Sequence, residues 1–167
     1  MSSLTAAVVI AAGIAATVID VRQRRVPNVL TMGVASAGLM LAMAGVGTVT
    51  VGGALGGLAL GLALLLPAHM FGAMGAGDVK LLAAFGALLG PADVFDAFLR
   101  AAILGGAMAL TVALWRGRLR ETLYGTAMLV TTRNRTVTAL IEHPAANNRF
   151  PYAPAIACGA VLVVLGW

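Results

Sequence analysis

The strongest constraint on this chain is a series of six apolar stretches separated by short polar segments. They run roughly over residues 4–19, 29–46, 51–71, 79–89, 98–115 and 152–167. A helix that crosses a bilayer needs about 20 apolar residues, with a range of about 17 to 25. Several stretches are shorter, and the fourth reaches full length only if it continues through residues 91–95, so we expect tilted helices or local thinning of the bilayer. The sequence predicts an all-α fold, a polytopic six-helix transmembrane bundle.

The composition excludes a water-soluble domain. Hydrophobic residues make up 60% of the 167 residues and charged residues 10%, with a mean hydropathy of +0.98. A soluble domain carries about 25% charged residues, so the bilayer must act as solvent here. We expect one membrane-embedded domain over residues 1–167. Because Cys158 is the only cysteine and His69 and His143 are the only histidines, no metal site and no cofactor are predicted.

The distribution of charge predicts an orientation. The first and fifth connections are cationic, the third carries Asp78 and Lys80, and the fifth, residues 116–150, carries six arginines. Cationic loops face the cytoplasm, which places both termini on the outer face. The fourth connection is expected to hold Asp93 and Asp96, with Arg100 inside the next span, as an outer ion pair. The arginines accompany no recognition fold or aromatic platform, so we expect contact with anionic lipid rather than nucleic acid.

Two further segments have structural interpretations. Glycines at small-xxx-small spacing in the third stretch predict close helix packing. They are Gly52, Gly53, Gly56, Gly57 and Gly61. Apolar residues recur at near-helical spacing within residues 116–150, which favours an interfacial helix between spans five and six. A solvated loop there is an equally good interpretation.

Asp20 and Asp78 are the most informative ionisable residues, because each lies at the predicted cytoplasmic end of a span. Two carboxylates at one depth can approach each other, share a proton and titrate as a unit. Such a pair can hydrolyse a peptide bond, since one carboxylate takes a proton from water while the other protonates the carbonyl oxygen. From spacing alone, the alternative that each aspartate pairs with a neighbouring Arg or Lys stays open. Gly75 and Gly77 predict an unusual backbone before Asp78, open to an extended peptide.

The chain resembles a known family, the type IV prepilin peptidases, which are membrane aspartyl proteases. Gly75-Ala76-Gly77-Asp78-Val79-Lys80 is similar to the GxGD-x-K signature of that family. Asp20 followed by Arg24 or Arg25, Pro27 and Asn28 is similar to its first motif. Phe150-Pro151-Tyr152-Ala153-Pro154-Ala155 resembles the proline-rich start of its last span. The resemblance covers essentially the whole chain, with the motifs in the same order.

The resemblance implies an endopeptidase that removes a short basic leader from prepilin or pseudopilin subunits at the cytoplasmic face of the bacterial inner membrane. Asp20 and Asp78 would be the catalytic pair. The chain lacks the cysteine-containing insert of longer relatives, so no methyltransferase activity is predicted, and it resembles the compact members associated with tight-adherence (Flp) pili. A more distant similarity to presenilin-type GxGD proteases rests on Pro154-Ala155-Ile156. Asp20 lacks the tyrosine that precedes the first aspartate in that group.

Roles for the other residues stay open at this stage. Lys80 and the Arg22–Arg25 cluster either position an acidic substrate residue or act as topology signals. His69 is either a proton relay or an interfacial histidine. The helix dipole favours a carboxylate at an N-terminus, so we expect Asp78 to be the ionised base and Asp20 the protonated acid.

The alternative function from another class is a small transporter or channel subunit that uses the two aspartates as ion or proton sites. Such a carrier needs carboxylates near the bilayer midplane with access from both faces. The predicted depth of both aspartates favours the protease. A non-catalytic assembly factor for a secretion system is a third possibility, for which no specific residue argues.

Overall fold

The computed structural model describes residues 2–115 and 152–167, and these residues form six helices and no strand. In chain order they are α1 Ser3–Gln23, α2 Asn28–Met43, α3 Val51–Met70, α4 Ala76–Leu89, α5 Pro91–Trp115 and α6 Ala153–Val164. The all-α prediction is therefore confirmed for the described part of the chain. The interfacial helix predicted within residues 116–150 lies outside it.

Three helices are long and apolar enough to cross a bilayer. They are Ser3–Gln23, Val51–Met70 and the Pro91–Val112 part of α5. The α2 and α6 helices are apolar but shorter, and α4 has 14 residues. Helix lengths thus support three complete spans, and the six-span arrangement remains a prediction.

The boundary between the fourth and fifth helices differs from the prediction. Helix α4 ends at Leu89, and Gly90 adopts φ +82°, a conformation that side chains disfavour. Pro91 then begins α5, a position that suits proline because its missing N–H would have no helical partner. Residues 91–95 therefore extend the fifth helix and not the fourth. Asp93 and Asp96 lie within α5 and not in a connection, which here is Gly90 alone.

Helix α4 is the centre of the bundle, and every residue from Leu81 to Gly90 is buried. It packs most extensively against α3 and α2. Gly57 of α3 and Gly86 of α4 face each other so closely that a methyl group on either would overlap the backbone of the other. Gly61 likewise lies against Leu82 and Ala83. The predicted close packing is confirmed at Gly57 and Gly61, whereas a methyl group on Gly52 would meet no atom within 4 Å.

Helix α6 joins the two sides of the bundle, because it packs against both α5 and α1. Gly159 of α6 lies against Ala97 and Ala101 of α5, and Ala157 lies against Gly13 of α1. Through these contacts the beginning of α6 lies beside the end of α1, where Asp20 is located.

Candidate active site

Asp20 lies in the last turn of α1 and is 4% exposed. Its Oδ2 atom accepts a hydrogen bond of 3.2 Å from the backbone N–H of Ala153, the first residue of α6. The first N–H groups of any helix lack partners within that helix. The Asp20 side chain, which belongs to α1, therefore caps the N-terminus of α6.

The backbone that follows Asp20 turns sharply away from α1. Arg24 caps the helix in the left-handed conformation, with φ 52°, and its N–H donates to the Asp20 carbonyl at 2.7 Å. Val26 is buried, and Pro27 is the N-cap of α2. The turn leads the chain from the carboxylate directly to Asn28 at the start of the next helix.

Asp78 lies in the first turn of α4, where the positive end of the helix dipole favours a carboxylate. Gly75 is the N-cap of this helix, with an ordinary extended backbone of φ −72° and ψ 146°. Gly77 is inside the helix. Neither glycine has a positive φ, so the predicted unusual backbone is wrong. What these glycines provide is space: a methyl group on Gly75 would lie 3.4 Å from Asp78 Oδ2, and one on Gly77 would lie 3.1 Å from Val26 Cβ.

Both aspartates line a single cavity of about 330 Å³. The rest of its wall comes from the connection after α1, the connection between α3 and α4, the first residues of α4, and the residue before α6. These residues are Arg24, Arg25, Val26, Gly72, Ala73, Met74, Gly75, Ala76, Gly77 and Tyr152. The first and third connections therefore meet at one end of the bundle, together with the end of the fifth.

The two sequence motifs also contact each other directly. Val26 of the first motif packs against Gly77 of the second. Lys80 Nζ donates to Asn28 Oδ1 at 2.9 Å, an exposed hydrogen bond between α4 and α2. This hydrogen bond links the helix that carries Asp78 to the helix that begins after the Asp20 turn.

The sequence model of the type IV leader peptidase family matches residues 7–110. The chain belongs to the type IV leader peptidase family. No curated protein and no solved structure is similar enough to match it. Membership of this family makes the chain a leader peptidase-like protease, and the matched range contains both Asp20 and Asp78. Helix α6 and Tyr152 lie beyond it.

Tyr152 also lines the cavity, although its sequence motif suggested no role for it. Its phenol O–H donates to the Ala101 carbonyl of α5 at 3.2 Å. A phenol is neutral at physiological pH and can therefore donate its proton in this hydrogen bond. The sequence signal for Tyr152 was its position as an aromatic residue within the proline-rich start of the last span. The Ala153 N–H that bonds to Asp20 gave no sequence signal, because every residue except proline carries a backbone N–H.

The remaining candidates lie outside the cavity. The His69 ring shares a 3.0 Å hydrogen bond between Nδ1 and the Met74 carbonyl, and the side chain is exposed, which agrees with an interfacial histidine. Asp96 and Arg100 form an exposed ion pair of 2.6 Å near the start of α5, beyond the opposite end of α4 from Asp78. The predicted ion pair is thus confirmed for these two residues. Within the described residues, no group of three or more His, Cys, Asp or Glu side chains could hold a metal ion.

Proposed function

We propose that this leader peptidase is an aspartyl endopeptidase that uses Asp20 and Asp78 to remove the basic leader of Flp-type prepilins. The observation that carries the proposal is that both carboxylates line one cavity, although they come from different helices. Both also fall within the range matched by the family. The substrate would be a membrane-inserted subunit whose cleavage site lies just before its hydrophobic helix.

The chemistry follows from two acidic groups that share one water molecule. One carboxylate takes a proton from water, and the resulting hydroxide attacks the scissile carbonyl carbon. The other, protonated, carboxyl group donates its proton to the carbonyl oxygen. Collapse of the tetrahedral intermediate breaks the C–N bond, and the leaving amine takes up a proton. No group beyond the two aspartates and water is needed to balance the reaction.

The position of the cavity favours a peptide substrate over a transported ion. Asp20 is in the last turn of its helix and Asp78 in the first turn of its own. The cavity is lined by connections, which lie at the ends of helices and give a peptide access from one side. We place this end at the cytoplasmic face, because the connection after α1 carries exposed arginines beside Asp20. A carrier would instead need its carboxylates near the middle of its helices.

Co-expression with a Flp-type prepilin tests the proposal directly, with cleavage scored as a mobility shift on a gel. The wild-type chain should shorten the prepilin, and Asp20→Ala and Asp78→Ala should leave it at full length. Asp96→Ala is a matched control, because it removes a carboxylate of α5 that lies outside the cavity and should not affect cleavage. Processing at the wild-type rate by either cavity variant would refute the assignment of the pair.

A further inference from the structure

The beginning of α6 makes a contact with the site that the two-carboxylate chemistry does not explain. The Ala153 N–H is bonded to Asp20 Oδ2, and both residues are buried. This bond fixes one oxygen of the carboxylate to a backbone atom of a different helix. The orientation of Asp20 in the cavity therefore depends on where α6 begins.

Tyr152, the residue immediately before Ala153, is held by α5 in two ways. Its O–H is bonded to the Ala101 carbonyl, and its ring fills the space beside Gly105. A methyl group on Gly105 would lie 2.6 Å from the phenol oxygen and would overlap the ring. The ring can take this position only because residue 105 has no side chain.

We propose that Tyr152, seated on Gly105, is a positioning residue that sets the Ala153 N–H against Asp20 and thereby holds this carboxylate in its catalytic orientation. The proposal rests on the proposed function, since it assigns Tyr152 a role that acts through Asp20. Because Tyr152 and Ala153 share a peptide bond, a displacement of the ring that shifts the Tyr152 backbone moves the Ala153 N–H. Rates of oriented reactions are sensitive to such shifts, because a misplacement of about 1 Å can cost about 100-fold.

Gly105 and its neighbour Gly106 provide a matched pair of variants. A methyl group on Gly106 would meet no atom within 4 Å, and both changes have the same intrinsic effect within a helix. The full chain is reconstituted in liposomes with a Flp-type prepilin, and kcat and KM are measured separately. Gly105→Ala should lower kcat by about 10- to 100-fold and leave KM within about twofold, as expected when only the chemical step suffers. Gly106→Ala should match the wild type in both constants.

Tyr152 variants keep the test decisive even if Gly105→Ala does not accumulate in the membrane. Tyr152→Ala should lower kcat to an extent similar to Gly105→Ala. Tyr152→Phe, which keeps the ring, should retain most of the wild-type kcat. In the Tyr152→Ala background, Gly105→Ala should cause no further loss, because the ring that it would displace is absent.

Two results would overturn the positioning role while leaving the proposed function intact. The first is a wild-type kcat in Tyr152→Ala or in Gly105→Ala. The second is a kcat in the Tyr152→Ala, Gly105→Ala double variant that is reduced by the product of the two single losses. A wild-type chain that leaves the prepilin uncut would instead refute the proposed function itself. The two failures are therefore distinguishable in a single set of measurements.

Discussion

Asp20 has a structural contact as well as a proposed catalytic role, and two substitutions should separate them. Asp20→Asn retains a side-chain oxygen that can accept the Ala153 N–H but cannot act as a carboxyl acid or base. Asp20→Ala removes both capacities. We expect both variants to be inactive and only the alanine variant to lose substantial stability.

The size of the difference follows from the burial of the contact. Asp20 is 4% exposed, so water cannot easily replace the acceptor that alanine lacks. A buried donor left without a partner costs about 1–3 kcal/mol, and loss of a helix cap alone typically costs about 1 kcal/mol. We therefore expect Asp20→Ala to lower the free energy of unfolding by about 2 kcal/mol. Asp20→Asn is nearly isosteric and should stay within about 1 kcal/mol of the wild type, because the amide preserves the accepted hydrogen bond.

Reversible unfolding in mixed detergent micelles measures the stabilities, and prepilin cleavage measures the activities. Asp96→Ala is the stability control, because it breaks only an exposed ion pair with Arg100 and should cost less than about 1 kcal/mol. Equal destabilisation by Asn and Ala at position 20 would refute the capping argument. Cleavage by Asp20→Asn at the wild-type rate would refute the catalytic one.

Two further predictions concern the packing that supports the site. Gly57→Ala should lower the free energy of unfolding by at least about 3 kcal/mol in the same assay, because overpacking commonly costs about 1–3 kcal/mol even where side chains can yield, and here the methyl group would overlap the Gly86 backbone. The control Gly52→Ala should leave the free energy of unfolding unchanged or raise it by up to about 1 kcal/mol. An equal loss in both variants would contradict the packing argument. A double-mutant cycle with Asn28→Ala and Lys80→Met should give a coupling free energy above zero and below about 1 kcal/mol, since the hydrogen bond is exposed. Strictly additive losses would show that this bond does not hold the two motifs together.

The helical class and the placement of Asp20 and Asp78 at the ends of helices could be predicted because each depends on a local signal. A run of apolar residues predicts a helix in lipid wherever it occurs, and Asp20 and Asp78 each stand at the end of such a run. Hydropathy did not predict the boundary between α4 and α5 at Gly90 and Pro91. Both sides of the boundary are apolar, so only the backbone preferences of these two residues mark it.

The contribution of α6 could not be predicted, because it depends on tertiary packing. Ala153 and Asp20 are separated by 133 positions, and the group that Ala153 contributes is a backbone N–H. Helix α6 reaches Asp20 because Gly159 and Ala157 allow it to lie close to α5 and α1. The small residues that permit this approach are common in membrane helices and do not by themselves identify a partner.

This packing also changes the argument about which carboxyl group is the acid. The sequence placed Asp78 at a helix N-terminus and Asp20 at a C-terminus, and the dipoles of those two helices alone would separate their roles. With the N-terminus of α6 at Asp20, the positive end of α6 opposes the negative end of α1 at this carboxylate, so the dipoles distinguish the two aspartates less than the sequence implied.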